Sequence, residues 1–297
     1  MLTTEAYHVL LLLLSAHLVG DFLLQTNRMV SGKAAGSRGA FLAHGAVHLA
    51  LLGVVFVGAG SRWIVVAAAV AVVHVLIDLG KEGIARQLPD TETPGAASRR
   101  SLALFGIDQA VHIATLLVTA WIISRMGEWE NMPRRFATFD PTIAASPIEP
   151  SDSPFNGWWV VLWTWVAGLV LSTRAGGMVI GMIVAPMLEE VRRTRPAEAA
   201  EDETFVRTDA RGLQHGGRLI GWLERALIFL LVTNGAMAGV GFLAAAKSVF
   251  RFGELTDPRQ RKEAEYILIG TLLSFTWGMF ASWLTLMALQ LLALQML

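Results

Sequence analysis

Eight residues of metal-ligand type stand in four pairs: His17/Asp21, His44/His48, His74/Asp78 and Asp108/His112. Each pair is spaced by four positions and lies in an apolar stretch. A four-residue step in an α-helix is about 400°, so both members of a pair face the same way, roughly 6 Å apart along the axis. Ionisable groups inside apolar helices cost on the order of a few kcal/mol each unless paired or ligated. Repeating that cost on four segments points to one shared polar site. Imidazole suits Zn, Fe, Cu or Ni, whereas carboxylate suits Mg, Mn or Fe and can bridge two ions. Eight candidates exceed a tetrahedral shell. The pattern therefore predicts one or two divalent ions, zinc first and manganese or iron after it, with the surplus residues orienting ligands or moving protons. A purely structural reading, in which His and Asp only pair with each other and join the helices, stands beside it.

The elements that must position these residues are membrane helices. Of 297 residues 54% are hydrophobic and 16% charged, a composition outside the range of ordinary soluble domains. The formal net charge is zero, so no overall field favours nucleic acid. Cysteine is absent, which excludes disulfides, thiolate catalysis and Cys-ligated zinc. Hydropathy predicts an all-α, polytopic membrane fold with about seven transmembrane helices, near 6–27, 41–59, 62–81, 102–125, 157–173, 219–247 and 266–295. The stretch 174–186 is too short to span and follows a glycine-rich break, so it is expected to be interfacial or re-entrant. The first span has Glu5 and no Lys or Arg before it and holds His17 and Asp21, so it reads as a retained helix, not a leader.

Three regions follow. Residues 1–125 form an N-terminal four-helix bundle holding the polar intramembrane site; 126–156 form a Pro- and Ser-rich polar loop; 157–297 supply three further membrane helices, with a charged loop at 188–216. Trp129, Trp158, Trp159, Trp163 and Trp165 cluster at the start of the fifth span, as aromatic belts do. Because alternate spans run in opposite directions, His17, His48, His74 and His112 fall in one layer. Asp21, His44, Asp78 and Asp108 fall in the other, about one helical turn away. The second layer faces the side whose loops, 28–40, 82–100 and 188–218, carry more Lys and Arg, which marks it as cytoplasmic; the basic 251–262 loop pulls the other way.

Further groups extend the stripe. Gln25 follows Asp21 by four positions and Lys81 follows Asp78 by three. Lys81 is expected either to contact a substrate phosphate or to snorkel to the interface. Arg28, Lys33, Arg38, Arg86, Arg99 and Arg100 would form a basic rim able to hold a lipid phosphate, although positive-inside topology and attraction to anionic lipid together explain the same charges more simply. On the sixth span, Glu224 is placed at the depth of the carboxylate layer, as a candidate general base with Arg225 beside it; a plain Glu–Arg pair is the alternative. Lys247, Arg251, Glu254 and Glu265 are expected at the opposite membrane face, and Gly235, Gly239 and Gly241 as helix-packing glycines.

The strings His17-Leu-Val-Gly-Asp21-Phe-Leu-Leu-Gln25, His44-Gly-Ala-Val-His48, His74-Val-Leu-Ile-Asp78-Leu-Gly-Lys81 and Asp108-Gln-Ala-Val-His112 resemble the signature of an uncharacterised bacterial integral-membrane family, domain of unknown function 3307. The resemblance spans roughly residues 8–125 and implies a bacterial inner membrane location without supplying a reaction. With the loop charges it places the N-terminus in the periplasm and the C-terminus in the cytoplasm.

The function expected first is a metal-dependent hydrolase acting on a membrane lipid or other phosphate-bearing substrate, with Asp108, Glu224 and Lys81 as its catalytic candidates. A metal-ion or proton-coupled transporter is the alternative, because His and Asp on neighbouring spans also suit a carrier. A di-metal redox enzyme comes third. No nucleic-acid partner is expected.

Overall fold

The computed structural model describes residues 4–56, 62–89, 93–125, 158–193, 216–251 and 261–294. Among these residues all regular structure is helical: α1 (Thr4–Val19), α2 (Asn27–Ala34), α3 (Arg38–Val55), α4 (Arg62–Gln87), α5 (Pro94–Arg125), α6 (Trp158–Val170), α7 (Gly176–Arg193), α8 (Gly216–Thr233), α9 (Met237–Arg251) and α10 (Arg261–Leu294). Two π-helical turns, Gly20–Leu24 and Leu171–Ala175, follow α1 and α6. Six helical stretches are long and apolar enough to cross a membrane: Ala6–Leu24, Arg38–Val55, Trp63–Gln87, Gly95–Ile123, Trp158–Val191 and Glu265–Leu294. The chain is an all-α, multi-pass membrane protein.

The burial pattern is that of a protein dissolved in lipid. On α4 the buried residues Ala67, Ala71, His74 and Asp78 recur at helical spacing on one stripe, while Ile64, Val65, Val72 and Leu76 face outward. On α5 the buried stripe is Asp108, His112, Leu116, Ala120 and Ile123, with Ile107 and Val118 exposed. The polar residues are thus inside and the large aliphatic ones outside, the favourable arrangement where the solvent is hydrocarbon. Hydroxyls follow the same rule: Ser15 donates to the Leu11 carbonyl at 2.7 Å and Thr164 to the Val160 carbonyl at 2.7 Å, so neither needs water.

Two compact units emerge, and they do not follow chain order. The first comprises Met1–Pro89, Leu104–Leu171 and Leu284–Leu297. In it α1 is the most enclosed of the spans, 72% buried. The Trp159 indole donates to the Val55 carbonyl at 2.8 Å and the Tyr7 hydroxyl to the Ala288 carbonyl at 3.0 Å, tying α6 and the end of α10 to the bundle. After the first π turn the chain restarts at Thr26, whose hydroxyl caps α2 by accepting from the Met29 amide at 3.3 Å. The turn after α2 passes through Gly36 at φ +77°, where the Arg86 guanidinium lies against the backbone and leaves no room for a Cβ.

The second unit comprises Asp90–Ala103 and Ser172–Trp283, and here the structure corrects the expected spans. Residues 219–247 are not one membrane helix. Asn234 and Gly235 turn the chain between α8 and α9, with Gly235 at φ +73° and the Ala236 amide bonded back to the Leu231 carbonyl at 2.8 Å. The result is a helical hairpin in which Gly239 receives the Leu231 side chain; Gly235 serves the turn, and Gly241 has open space around it. Residues 174–186 are not re-entrant either: helix continues unbroken from Trp158 to Arg193 through the second π turn. Gly176 and Gly177 leave that helix bare where the Trp277 and Trp222 rings pack. The six stretches capable of crossing replace the seven expected. Residues 188–193 of the expected charged loop extend α7, while 194–215, the whole 126–156 loop with Trp129, and Glu254 lie outside the described residues.

Gly235→Val is expected to destabilise the hairpin by about 1–2 kcal/mol, the cost of a left-handed conformation for a residue with a Cβ, read as a lower melting temperature in detergent. Gly241→Ala, with nothing within 4 Å of the added carbon, leaves the melting temperature unchanged within error.

Candidate metal centre

The eight marked side chains are all buried and all belong to the first unit. They converge around Asp21. Its Oδ1 atom lies 3.0 Å from His48 Nε2, 3.2 Å from His44 Nε2 and 3.3 Å from His74 Nε2. His44 Nε2 and His74 Nε2 are themselves 2.9 Å apart. Two helices, α3 and α4, thus aim three imidazoles at one carboxylate oxygen supplied by the π turn. The five-residue turn is wider than an α turn and presents Asp21 at the end of α1, where the helix gives way to extended chain at Gln25. Gly20 makes the approach possible: a Cβ there would sit 2.5 Å from His48 Cε1.

Hydrogen bonds alone do not satisfy this cluster. At 2.9 Å, His44 Nε2 and His74 Nε2 cannot both carry a hydrogen, so at least one turns a lone pair outward. Both nitrogens also face Asp21 Oδ1, which accepts and cannot donate when ionised. One edge of the triangle therefore sets lone pair against lone pair in a buried place. A cation among the donors removes the conflict. Metal–ligand bonds of about 2.0–2.1 Å place tetrahedral ligands about 3.3–3.4 Å apart. The observed separations of 3.0, 3.2 and 3.3 Å are close to that edge, and Asp21, His44, His48 and His74 form one of two buried groups whose ligand atoms lie close enough to hold a metal.

The other group is His74, Asp78 and His112. His112 Nδ1 donates to the Asp108 main-chain carbonyl at 2.9 Å, which fixes the tautomer and leaves Nε2 as the lone-pair nitrogen. That Nε2 atom is buried without a hydrogen-bond partner, as are His17 Nδ1 and Asp108 Oδ1. The imidazoles are in mutual contact, with ring centroids 3.7 Å apart for His48 and His74, 4.2 Å for His74 and His112, and 5.0 Å for His17 and His112. His44 contacts Asp78 as well as Asp21, its Nε2 lying 3.3 Å from Asp78 Oδ2.

The surroundings hold these groups in place. Gln109 joins three of the marked residues: its Oε1 atom is 3.2 Å from His17 Nε2, and its Nε2 atom donates to Asp21 Oδ2 at 3.4 Å and to Asp108 Oδ2 at 3.2 Å. The Gln25 amide nitrogen lies 3.3 Å from His44 Nε2. Lys81, partly exposed, has its ammonium 3.6 Å from Asp108 Oδ2 and 3.9 Å from Glu82 Oε1. Lys33 departs from the expected rim. Arg28, Arg38 and Arg86 are exposed, but Lys33 is only 4% exposed and its ammonium bonds Asp78 Oδ2 at 2.6 Å. Its position in a presumed loop concealed it, because α2 carries it inward only once folded. Gln109 was visible as the neighbour of Asp108, but adjacent positions on a helix do not face one way.

Glu224 has a different setting from the one expected. It belongs to the second unit, where the hairpin brings Lys247 onto its carboxylate, so the two are neighbours and not residues of opposite faces. Arg225 is buried beside it but bonds the Ser172 and Thr173 carbonyls at 2.9 and 3.0 Å and the Ser274 hydroxyl at 3.0 Å. These contacts bind the second π turn to α8 and α10. In place of the expected Glu–Arg pair, Lys247 holds the Glu224 carboxylate and Arg225 holds main-chain carbonyls and Ser274.

The bundle that carries the cluster is similar to a known family. Residues 9–136 match the family described as "Protein of unknown function (DUF3307)", and all eight marked residues, with Gln25, Lys33, Lys81 and Gln109, fall inside the matched DUF3307 segment. No curated protein matches the chain, and no solved structure does.

Two substitutions, each with a control, test the arrangement. Lys33→Ala leaves Asp78 buried without its cation and is expected to cost about 3–5 kcal/mol of stability, whereas Arg28→Ala at an exposed position costs within about 0.5 kcal/mol, both read from melting in detergent. Gly20→Ala drives His48 from Asp21, and metal binding is expected to weaken by about 10-fold or more by titration. Gly53→Ala on the same bundle, with nothing near the new carbon, leaves it unchanged.

Proposed function

We propose that this protein is a metal-dependent hydrolase embedded in a bacterial inner membrane and acting on a phosphate-bearing lipid. The observation that carries the reading is the meeting of three imidazole nitrogens and one carboxylate oxygen at 3.0–3.3 Å in an arrangement whose hydrogen bonds conflict. Asp21, His44, His48 and His74 would hold the ion, and zinc suits their nitrogen-rich set, with manganese or iron after it. A bound ion of this kind supplies a Lewis acid that brings the pKa of a water toward about 7.

The chain's own residues would do the rest. Asp108 is the candidate base: Gln109 and Lys81 engage its Oδ2 atom while Oδ1 is buried and unpartnered, ready to take a proton. His112 offers a second acceptor at Nε2, and His74, Asp78 and His112 give room for a second ion. Charge supports an anionic substrate. The cluster has three carboxylates, Asp21, Asp78 and Asp108, and two ammonium groups, Lys33 on Asp78 and Lys81 on Asp108, while ligating imidazoles are neutral. One negative charge is left over, and a divalent ion turns it into one positive charge, matched by a phosphate diester. Lys81, the more accessible ammonium, is placed to meet it.

The basic ends of α2, α3 and α4, with Arg28, Arg38 and Arg86, are read as cytoplasmic and the N-terminus as periplasmic. Six crossings then return the C-terminus to the periplasmic side, where seven would have left it in the cytoplasm.

Elemental analysis of detergent-purified protein is expected to find one or two divalent ions per chain. His48→Ala should lose about 10-fold or more in metal affinity. Asp108→Asn should keep the metal and slow release of product from phospholipid by about 10²–10⁴-fold. Metal-free protein, or His48→Ala and Asp78→Ala variants that stay folded and fully active in cells, would end the metal reading. Metal moving across proteoliposome membranes would replace the hydrolase with a carrier.

A further inference from the structure

An apolar crevice of about 230 Å³ opens between α4 and α5 and ends on His74 and His112. Val66, Ala69 and Val73 line it from α4; Leu116, Thr119 and Ile123 line it from α5. The lining residues precede His74 on α4 and follow His112 on α5, so the crevice leads away from the histidines along both helices. Its two threonines give their hydroxyl hydrogens to the helix, Thr115 to the His112 carbonyl at 2.7 Å and Thr119 to the Thr115 carbonyl at 2.8 Å, so the lining is mainly apolar. Val73 and Ile122 are exposed, so the crevice opens sideways to the surrounding hydrocarbon. At its inner end His112, 1% exposed, holds the unpartnered Nε2 acceptor.

We infer that this crevice holds one acyl chain of a membrane phospholipid, with the phosphate head at the His/Asp cluster. The inference rests on the proposed function for the place of the head. Amphiphile geometry supports the occupant. From Asp78 to the end of α4 at Gln87 is nine residues, about 13 Å, and from Asp78 back to Arg62 is sixteen, about 24 Å, so the polar cluster lies nearer the Gln87 face. The crevice runs from the cluster toward the opposite face, the direction in which a lipid of the Gln87-side leaflet extends its chain. From His112 to Ile123 is eleven residues, about 16 Å, close to half of a hydrocarbon core about 30 Å thick. Water finds few partners along this mainly apolar length, and a free phosphate ion would not fill it.

The test is photolabelling of the full chain in phosphatidylcholine vesicles, using phosphatidylglycerol with a diazirine midway along one palmitoyl chain and mapping the labelled residues. Labels are expected to concentrate on Val70, Thr119 and their crevice neighbours. Ala69→Trp should reduce that labelling by about tenfold or more. Val66→Trp, at the far end of the crevice, should exclude the palmitoyl probe and still admit an octanoyl one, which separates blocking from misfolding. Labelling spread evenly over outward positions such as Leu76 and Trp283, equal labelling by free palmitate, or indifference to both tryptophans would overturn the inference. Metal content of the same samples reports on the metal centre alone: labelled protein without metal leaves the crevice standing and ends the hydrolase, and metal-loaded protein without crevice labels does the reverse.

Discussion

Asp21 Oδ1 is the point on which the bundle closes. Three imidazoles from two helices approach it, and with Asp21 ionised no assignment of their protons satisfies every contact while His44 and His74 are 2.9 Å apart. In water such a conflict is relieved by solvent. In the middle of a bilayer the relief must come from the protein or from a ligand it retains. Around this point the chain has arranged its scarce polar side chains in order of distance: imidazoles at the contact, Gln109 and Lys33 behind them, Lys81 toward the exterior. Elsewhere in the first unit the buried side chains are mainly Ala, Leu and Val.

What was legible in the sequence was whatever depends on spacing along one helix. His74 and Asp78, or Asp108 and His112, share a stripe because four residues make slightly more than a turn, and no tertiary knowledge is needed to see it. Apolar length likewise marked the membrane helices, and the DUF3307 resemblance rested on the same strings. The hairpin was also signalled, since Asn234-Gly235 is a turn dipeptide, but the hydrophobicity on both sides masked it. Gly176 and Gly177 misled in the opposite sense: glycine pairs suggest a break, yet here they make room for tryptophan rings against a helix that continues.

Whatever depends on how separate helices meet was hidden. Lys33 reads as one more basic residue beside a membrane; its burial against Asp78 follows from α2 folding back over α4, forty-five positions away. Glu224 and Lys247 carry opposite charges twenty-three positions apart, and only a turn between them makes a pair. Depth arguments from a linear count of helix residues fail wherever such a turn intervenes, which is why Lys247 was expected at the face opposite Glu224.

The π turn after α1 has a consequence for the chain as a genetic object. A π turn takes in a residue more than the α turn it replaces, so removing one residue from 20–24 would leave an unbroken α-helix in its place. The wide turn takes up its extra residue locally, so the chain from Thr26 onward would keep its direction. The residues inside the turn would not: Asp21 would be re-aimed against His44, His48 and His74. The length of this segment is thus of little account to the helices and decisive for the cluster they enclose.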